Sequence, residues 1–346
     1  MSLEDFGWSR YFAQHSNNEE GYIPGRVSSQ HRDLYRVFTE AGELVCNLSG
    51  TLRSAAQSSA DLPAVGDWVL LRPREFPRGT VSRILPRRSL LSRRAAGRRE
   101  EAQIIAANIN TVFIVTALDE DFSLRRMERY LSLVFESGAT PVLVLSKCDL
   151  AYDAEGKRLA TEAIAQDAPV HLVSTVTGEG LDDLRSYLTC GSTIVFVGSS
   201  GVGKSTLINA LFGSGVQQTR PVRTRDSKGR HTTTYRRLIA IPGGALLLDT
   251  PGMREVQLWA DHGALDSTFS DIAEKALDCR FRDCTHQHEP GCAVRACIDQ
   301  ARLESFHKQQ KEIAYLRRQT DLGAAQAEKQ KWKAIHKAAR RFYKRD

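Results

Sequence analysis

Residues 198–206 have the sequence Gly198-Ser199-Ser200-Gly201-Val202-Gly203-Lys204-Ser205-Thr206, which matches the phosphate-binding loop pattern G-x-x-x-x-G-K-[ST]. The apolar, β-branched run at 193–197 predicts a buried strand before the loop, and apolar residues at helical spacing predict a helix after it. A strand, a glycine-rich turn and a helix N-terminus form an anion site, because backbone N–H groups and the helix dipole attract phosphate. The alternative is a chance glycine and serine turn, which would not require the flanking strand and helix.

Two side chains of this loop have specific expected roles. Lys204 should reach the β- and γ-phosphates of a nucleotide, and the Ser205 hydroxyl should hold Mg²⁺. Gly201 and Gly203 would let the backbone approach the phosphates closely. All nine residues of the loop are therefore candidate nucleotide contacts.

Composition limits the class of protein. A chain of 346 residues suggests two or three domains, and 41% hydrophobic residues are enough to form cores. No apolar run approaches 18 residues, and the first ten residues lack the apolar segment of a secretory signal. Seven cysteines, three of them clustered late, favour a reducing compartment and a metal site over disulfides. A net charge of +7 indicates a polyanionic partner.

The chain divides into four predicted segments. Residues 1–20 are predicted to be a flexible arm, and 21–100 an OB-type β-barrel built from short strands separated by turns. Residues 101–256 alternate apolar strands with helical patterns, which predicts an α/β domain with a parallel sheet. Residues 257–346 hold a Cys/His cluster followed by charged helical sequence with an apolar stripe. The stripe consists of Trp332, Ile335, Ala339 and Phe342.

Arginine dominates the end of the barrel segment. Many arginines with few nearby acids favour a surface for the phosphate backbone of RNA, although a merely solubilising surface is the alternative. These residues are Arg72, Arg74, Arg78, Arg83, Arg87, Arg88, Arg93, Arg94, Arg98 and Arg99.

Two loops have the features of a guanine-reading site. Ser146-Lys147-Cys148-Asp149 follows an apolar strand and is close to the [NT]-K-x-D pattern, in which the Asp pairs with guanine and the Lys stem packs on the base. Ser146 stands where Asn is expected; because Ser is shorter, we expect it to brace the phosphate loop only partly. Ser174 begins the loop after the next strand, where a backbone N–H would contact guanine O6.

Two further segments would sense the γ-phosphate. Asp249 at the end of an apolar strand would hold Mg²⁺, and the N–H of Gly252 would meet the γ-phosphate. Thr233 is the predicted switch I residue that closes over Mg²⁺, although a β-rich hairpin entry would also explain the threonines at 232–234. Met253 cannot orient a water molecule as a Gln does at this position. His231 is the candidate for that role, with a structural or solvent-facing His as the alternative.

The order of these segments is rotated. The base-reading loops at 146–149 and 174–176 precede the phosphate loop, whereas ordinary GTPases have them after it. The chain after Gly252 therefore leads directly into the cysteine-rich region. Nucleotide state could thus move a separate domain over a short covalent path.

The cysteine-rich region has the spacing of a structural zinc site. Cys279, Cys284, His286 and Cys292 supply three thiols and one imidazole within 14 residues, which fits closed tetrahedral Zn²⁺. Cys297 and His288 lie close enough in sequence to substitute as ligands.

In this rotated order, and with this Cys/His cluster, nearly the whole chain resembles the circularly permuted GTPases of the ribosome small-subunit-dependent GTPase A (RsgA) family. The resemblance implies a bacterial cytoplasmic GTPase that binds the 30S subunit and its 16S rRNA late in maturation. It further implies stimulation by 30S, release after GTP hydrolysis, and a monomer that binds no membrane. By position it assigns His231 a catalytic role and Thr233 to switch I, and it assigns the metal sites to Mg²⁺ with GTP and one structural Zn²⁺.

Two other classes of function remain open from the sequence. The chain could be a nucleic-acid-binding module whose nucleotide site is only a switch, as its basic segments indicate. It could also be an ATP-using enzyme, since Ser146 weakens the guanine pattern.

Overall fold

A computed structural model of the chain describes residues 1–16, 20–94, 102–213, 236–249, 265 and 268–320. The described residues up to 249 form one compact unit, and those from 265 onward form a second. His231, Thr233, Gly252, Met253 and the C-terminal apolar stripe lie outside the described residues. None of the described helices combines the length and apolar character needed to cross a bilayer.

Five strands close into a small barrel, which confirms the predicted N-terminal barrel. The pairing order is β1-β2-β3-β5-β4 and returns from β4 to β1, with every pair antiparallel except β3 and β5. Alternate residues face inward, so that Val27, Val37 and Val81 are fully buried in the centre. The strands are β1 (Ile23–His31), β2 (Leu34–Thr39), β3 (Gly42–Leu48), β4 (Trp68–Pro73) and β5 (Arg78–Ile84), with α2 (Gly50–Ala55) after β3.

The N-terminal segment is folded against the barrel, which corrects the prediction of a flexible arm for residues 1–16. A short α1 (Arg10–His15) buries Phe12, whose ring centroid lies 5.7 Å from that of Trp68. Phe6 stacks on Phe38 at 4.7 Å. The buried guanidinium of Arg26 donates to the carbonyl of Phe6 and fixes the segment further. The aromatic residues outweigh the polar composition on which the prediction rested.

Several arginines of the predicted RNA surface have structural roles instead. Arg87 forms a two-pronged ion pair, with both contacts at 2.8 Å, to the fully buried Asp67. Arg83 donates to the carbonyl of His15, and Arg88 lies 5.6 Å over the ring of Tyr11. Arg72, Arg74 and Arg78 remain exposed on the barrel, and Arg98 and Arg99 lie outside the described residues.

The α/β domain, which carries the predicted nucleotide site and is called the nucleotide domain below, is a parallel sheet with one antiparallel edge strand, in the order β10-β9-β8-β11-β13-β12. Its central strands β8, β9, β11 and β13 are buried almost throughout, as the continuous apolar runs predicted, whereas three of the four residues of the edge strand β10 are only partly buried. They are β8 (Thr111–Ala117), β9 (Thr140–Ser146), β10 (Val170–Val173), β11 (Thr193–Val197) and β13 (Leu246–Asp249), and β12 (Arg237–Ala240) is antiparallel to β13. A separate hairpin pairs β6 (Leu90–Arg94) with β7 (Ala102–Ala107).

Helices cover this sheet. They are α3 (Leu124–Ser137), α4 (Ala154–Ala165), α5 (Leu181–Arg185) and α6 (Lys204–Phe212). In α3, Met127, Leu131 and Val134 recur at helical spacing and are fully buried. The helix ends at Gly138, whose φ of +77° is a left-handed cap that favours glycine.

The barrel and the nucleotide domain share one continuous sheet. Arg237 of β12 pairs with Ser29 of β1 on one side and with Asp249 of β13 on the other. The barrel is therefore attached to the edge of the α/β domain's sheet by strand pairing as well as by the chain.

The second unit contains α7 (Ser270–Ala276), α8 (Ala293–Cys297) and α9 (Gln300–Thr320). Arg302 of α9 binds both carboxylate oxygens of Asp271, at 2.6 and 2.8 Å. The rings of Phe269 and Phe306 meet edge to face at 5.4 Å between centroids. These contacts pack α9 onto α7.

Candidate nucleotide and metal sites

The register of the parallel strands brings the predicted site loops to one edge of the sheet. Ala117, Ser146 and Val173 are register partners at the ends of β8, β9 and β10. β11 runs parallel to β8 and ends at the phosphate loop, and β13 runs parallel to β11 and ends at Asp249. The carboxyl edge of a parallel sheet is where ligands of such folds bind.

The phosphate loop has the backbone form that its glycines permit. Gly198 has φ +139°, and a Cβ there would lie 2.1 Å from the carbonyl oxygen of Val115. Gly203, at φ +91°, caps the start of α6. The Lys204 ammonium donates to the carbonyls of Gly198 (2.7 Å) and Ser199 (2.5 Å), so its charge lies within the loop.

The loop exposes some of the predicted contacts and buries another. Ser200, Gly201 and Thr206 are exposed, Ser205 is half-buried and Val202 is buried. The side chain of Ser205 is in the first turn of α6, where a hydroxyl can hold a cation beside bound phosphates.

Ser146 joins the base-reading loop to the phosphate loop. Its buried hydroxyl lies 2.7 Å from the carbonyl oxygen of Val202 and 3.3 Å from that of Thr116, and its single proton serves both acceptors in turn. The shorter side chain therefore does reach the phosphate loop. Compared with the expected Asn, Ser146 makes the brace from a hydroxyl rather than an amide.

The rest of the base-reading loop is held from neighbouring strands. Lys147 has a left-handed backbone, φ 59°, and its ammonium pairs with Asp119 at 2.8 Å. This leaves Asp149 exposed at the edge of the sheet. The buried Ser174 hydroxyl accepts from the N–H groups of Val176 and Thr177, both at 3.2 Å, and so shapes the second loop.

Sequence patterns missed two residues that organise this site. Asp119 follows β8 and orients Lys147, and Arg126 of α3 contacts both the Ser199 hydroxyl and Asp121 at 2.5 Å. Asp119 could have been identified as a site residue from its position directly after a buried parallel strand. No sequence motif marks Arg126, because its partner is 73 residues away.

Asp249 lies at the end of β13, half-buried, opposite Arg237 of β12. Burial raises the pKa of its carboxyl group. A buried carboxylate close to bound phosphates is a favourable partner for Mg²⁺, which would offset the cost of burying its charge.

The four predicted zinc ligands come together. Their ligand atoms lie within 4.8 Å of one another, with the Cys279 and Cys292 sulfurs 4.0 Å apart and His286 Nδ1 3.5 Å from the Cys292 sulfur. Two thiolates on a tetrahedral zinc, each about 2.3 Å from it, would be about 3.8 Å apart. Burial lowers the pKa of His286, which favours the neutral imidazole that binds metals.

The alternative ligands are not part of this cluster. Cys297 is exposed, and neither it nor His288 belongs to the four-residue group. A Cys₃His set of this compactness can bind one metal ion with no position left for a substrate.

Known proteins resemble this chain over almost its full length. The small ribosomal subunit biogenesis GTPase RsgA of Opitutus terrae is 44% identical, covering 98% of this chain and 97% of that protein. RsgA 2 of Lactiplantibacillus plantarum is 48% identical, covering 91% and 90%.

Two solved structures share the fold. YjeQ from Thermotoga maritima has a TM-score of 0.66 and 28% identity, covering 85% of this chain and 99% of that one. YloQ, described as a circularly permuted GTPase, has a TM-score of 0.62 and 26% identity, covering 86% and 97%. The rotated order of the site segments, the closed barrel and the Cys/His cluster are therefore those of a circularly permuted GTPase fold. The sequence profile described as RsgA GTPase matches residues 84–259, and with these relatives it shows that the chain belongs to the RsgA GTPase family.

Proposed function

We propose that this GTPase acts in late maturation of the 30S ribosomal subunit, binds its 16S rRNA, and is released after GTP hydrolysis. The observation that carries the nucleotide part is the 2.7 Å bond from Ser146 to Val202, which couples the base-reading loop to the phosphate loop. The names of the relatives support the ribosomal part.

We assign the nucleotide contacts as follows. Asp149 accepts from the guanine N1–H and 2-amino group, a pairing that adenine cannot reproduce. The backbone of the Ser174 loop meets guanine O6, and the Lys147 stem packs on the base. Lys204 and the backbone N–H groups of 198–206 hold the phosphates.

The hydrolytic step requires mostly positioning and charge stabilisation. Mg²⁺, when bound, neutralises charge on the β- and γ-phosphates; Ser205, Thr233 and Asp249 are the residues proposed to hold it, directly or through water. Gly252 donates its N–H to the γ-phosphate. His231 orients the attacking water, since the apolar Met253 cannot.

We expect slow turnover by the isolated protein, because the water-orienting Gln of other GTPases has no counterpart here. Contact with the 30S subunit would complete the site. Hydrolysis would then relax the switch segments at Thr233 and Gly252 and weaken the hold on rRNA.

The Cys₃His cluster is proposed to hold one structural Zn²⁺. Three thiolates and a neutral imidazole match the preferred ligands of zinc, and closed coordination serves folding rather than catalysis. We further propose that the protein is a cytoplasmic monomer.

The direct test is GTP turnover by the full chain with purified 30S subunits, 50S subunits or neither. We expect a strong acceleration by 30S alone, and co-pelleting with 30S in the presence of a non-hydrolysable GTP analogue. Absence of acceleration would contradict the proposed function.

A competition experiment tests the preference for guanine. Excess ATP should not displace labelled GTP, and efficient displacement would overturn the role of Asp149.

The Lys204→Ala variant separates an enzyme from a passive RNA-binding module. If hydrolysis drives release, this variant should bind 30S without nucleotide-dependent release. Normal release by the variant would favour the module, in which the nucleotide site is only a switch.

A further inference from the structure

The turn between β4 and β5 presents a single aromatic ring to solvent. Phe76 is 66% exposed, in a barrel whose inward-facing residues are nearly all buried. Backbone bonds close the turn tightly: the Arg74 N–H donates to the Arg78 carbonyl, and the Arg78 N–H to that of Glu75, both at 2.9 Å. The ring thus lies at the tip of a short, structured hairpin.

A neighbouring strand holds the backbone of this turn in place. The Val45 N–H of β3 donates to the Pro77 carbonyl at 2.7 Å, which ties the turn to the barrel. A Cβ on Gly42 would lie 3.7 Å from Phe76 Cε2, so the ring is next to the β2–β3 turn. Binding to an already ordered turn costs less conformational entropy than binding to a loose loop.

Three exposed arginines lie within four residues of Phe76 in the sequence. Within the described part of the chain, Arg72, Arg74 and Arg78 make no ion pair, whereas Arg36 pairs with Glu43 and Arg53 with Asp33. The guanidinium of Arg72 is ordered over the Tyr22 ring, 4.9 Å from its centroid.

Two carboxylates lie nearby in the sequence, Glu75 in the β4–β5 turn and Glu40 in the β2–β3 turn. Three arginines against two glutamates leave an excess of positive charge. This excess distinguishes the tip from an ordinary exposed apolar residue. An exposed aromatic residue in a turn that also carries exposed arginines on both sides of it in the sequence matches the chemistry of a single-stranded nucleic acid, which offers stacking bases and phosphates.

We propose that Phe76 is a stacking platform for an unpaired RNA base, and that Arg74 and Arg78 bind the phosphates on either side of that base. This inference rests on the proposed rRNA-binding function and specifies one contact surface within it. A protein partner would also bury an exposed ring, but it would need an apolar pocket rimmed by carboxylates to match the two arginines, whereas every single-stranded RNA segment offers both a base and phosphates.

The test compares variants of the full chain for binding to a fluorescein-labelled, mixed-sequence single-stranded RNA dodecamer and to its duplex. Phe76→Leu keeps apolar bulk and loses the aromatic face. We expect it to weaken single-strand binding about tenfold, within the usual range for one stacked base, and to leave duplex binding unchanged. Phe76→Trp should restore or improve single-strand binding.

The arginines should act through charge. Arg74→Gln or Arg78→Gln should weaken binding and reduce the slope of log K against log salt by about 0.7 each, the value for one single-strand phosphate contact. Arg36→Gln, which removes an arginine already paired with Glu43, is the matched control. Tyr152→Leu removes a fully exposed aromatic residue of the nucleotide domain and should change nothing.

Single-strand binding by Phe76→Leu that equals the parent's would overturn the platform. So would a parent that does not bind the single strand. A Phe76→Leu variant that binds RNA normally but fails to pellet with 30S would instead assign the ring to a contact with a ribosomal protein, which also contradicts the proposal.

Stimulation of GTP turnover by 30S, measured on the parent, tests the proposed function separately. Melting temperatures of all variants should match, since these side chains are exposed.

Discussion

One hydroxyl joins the two halves of the nucleotide site. Ser146 contacts both Val202 in the phosphate loop and Thr116 at the end of β8. Because all three residues are buried, losing the hydroxyl removes a hydrogen bond that water cannot easily replace.

We expect Ser146→Ala to weaken GDP binding about five- to tenfold, since one lost hydrogen bond of this kind costs about 1 kcal/mol. Titration with a fluorescent GDP analogue measures the change. Ser54→Ala, which removes an exposed barrel hydroxyl bonded to a carbonyl of its own helix, should leave the affinity unchanged. Equal affinity of parent and Ser146→Ala would show that the brace has no role in binding.

The ionised carboxylate of Asp249, the form proposed to hold Mg²⁺, should lower the folding stability of the protein when no cation is bound, because the side chain is partly buried. Burial raises the pKa of its carboxyl, so the folded protein holds this proton at pH values where the unfolded chain has lost it. This group therefore contributes less stability as the pH rises from its ordinary pKa of 3.8.

We expect Asp249→Asn to lower GTP turnover about a hundredfold or more, yet to melt at a higher temperature than the parent near pH 7 in the absence of nucleotide and Mg²⁺. The melting difference should shrink as the pH is lowered toward 4. A difference that does not depend on pH would contradict the assignment to the Asp249 carboxyl. Turnover with saturating Mg²⁺ provides the accompanying activity measurement.

Patterns within short stretches predicted the compact Cys/His cluster, whose ligand atoms lie within 4.8 Å of one another. The roles assigned to the phosphate loop and the base-reading loops stay predictions. The phosphate loop, the base-reading loops and the cysteine cluster each lie within a few residues of sequence, so their spacing alone indicated their neighbours. Arg126 and Asp119 were missed because their partners are distant in sequence. Arg87 was misassigned to the surface because nothing in its local sequence reveals the buried Asp67.

The N-terminal segment is an integral part of the barrel core. The ring of Trp8 meets that of Trp68 at 4.7 Å, and Phe12 is 3% exposed. Removing a buried Phe side chain costs about 3–5 kcal/mol through lost burial and a residual cavity.

We therefore expect Phe12→Ala to lower the melting temperature of the barrel by roughly 6 °C or more, at about 2–4 °C per kcal/mol. Gln14→Ala, an exposed position of the same helix, should melt like the parent. Thermal unfolding followed by tryptophan fluorescence reports on this region, since Trp8 and Trp68 lie in it. Equal melting of the two variants would restore the prediction of a loose arm.

The strand predicted at 193–197 begins and ends where β11 does, because a continuous apolar run marks a buried strand. In β5 (Arg78–Ile84) arginines interrupt the alternation of buried residues and obscure the strand pattern in the sequence. Sheet order required the structure, because pairing between β1 and β12 joins residues about 200 positions apart and leaves no local pattern.

The second unit should depend on its metal. A structural zinc supplies about 10 kcal/mol or more of folding free energy, so its loss should unfold the surrounding segment. We expect about one zinc per chain in the parent and in Cys297→Ser, and little in Cys292→Ser. Metal analysis measures the content, and limited proteolysis should cleave the depleted proteins after residue 265. Full zinc content in Cys292→Ser would contradict the Cys₃His assignment.

The pairing of Ser29 with Arg237, and of Arg237 with Asp249, places the barrel only two strand spacings, roughly 10 Å, from a proposed Mg²⁺ residue. A shift of β13 when the terminal phosphate is lost would be passed to the barrel through backbone hydrogen bonds. Such energetic linkage is reciprocal. If GTP changes the affinity of the barrel for a rigid partner by some factor, that partner changes the affinity for GTP by the same factor. If that partner is the 30S subunit, as proposed above, the subunit would both sense and set the nucleotide state through the barrel.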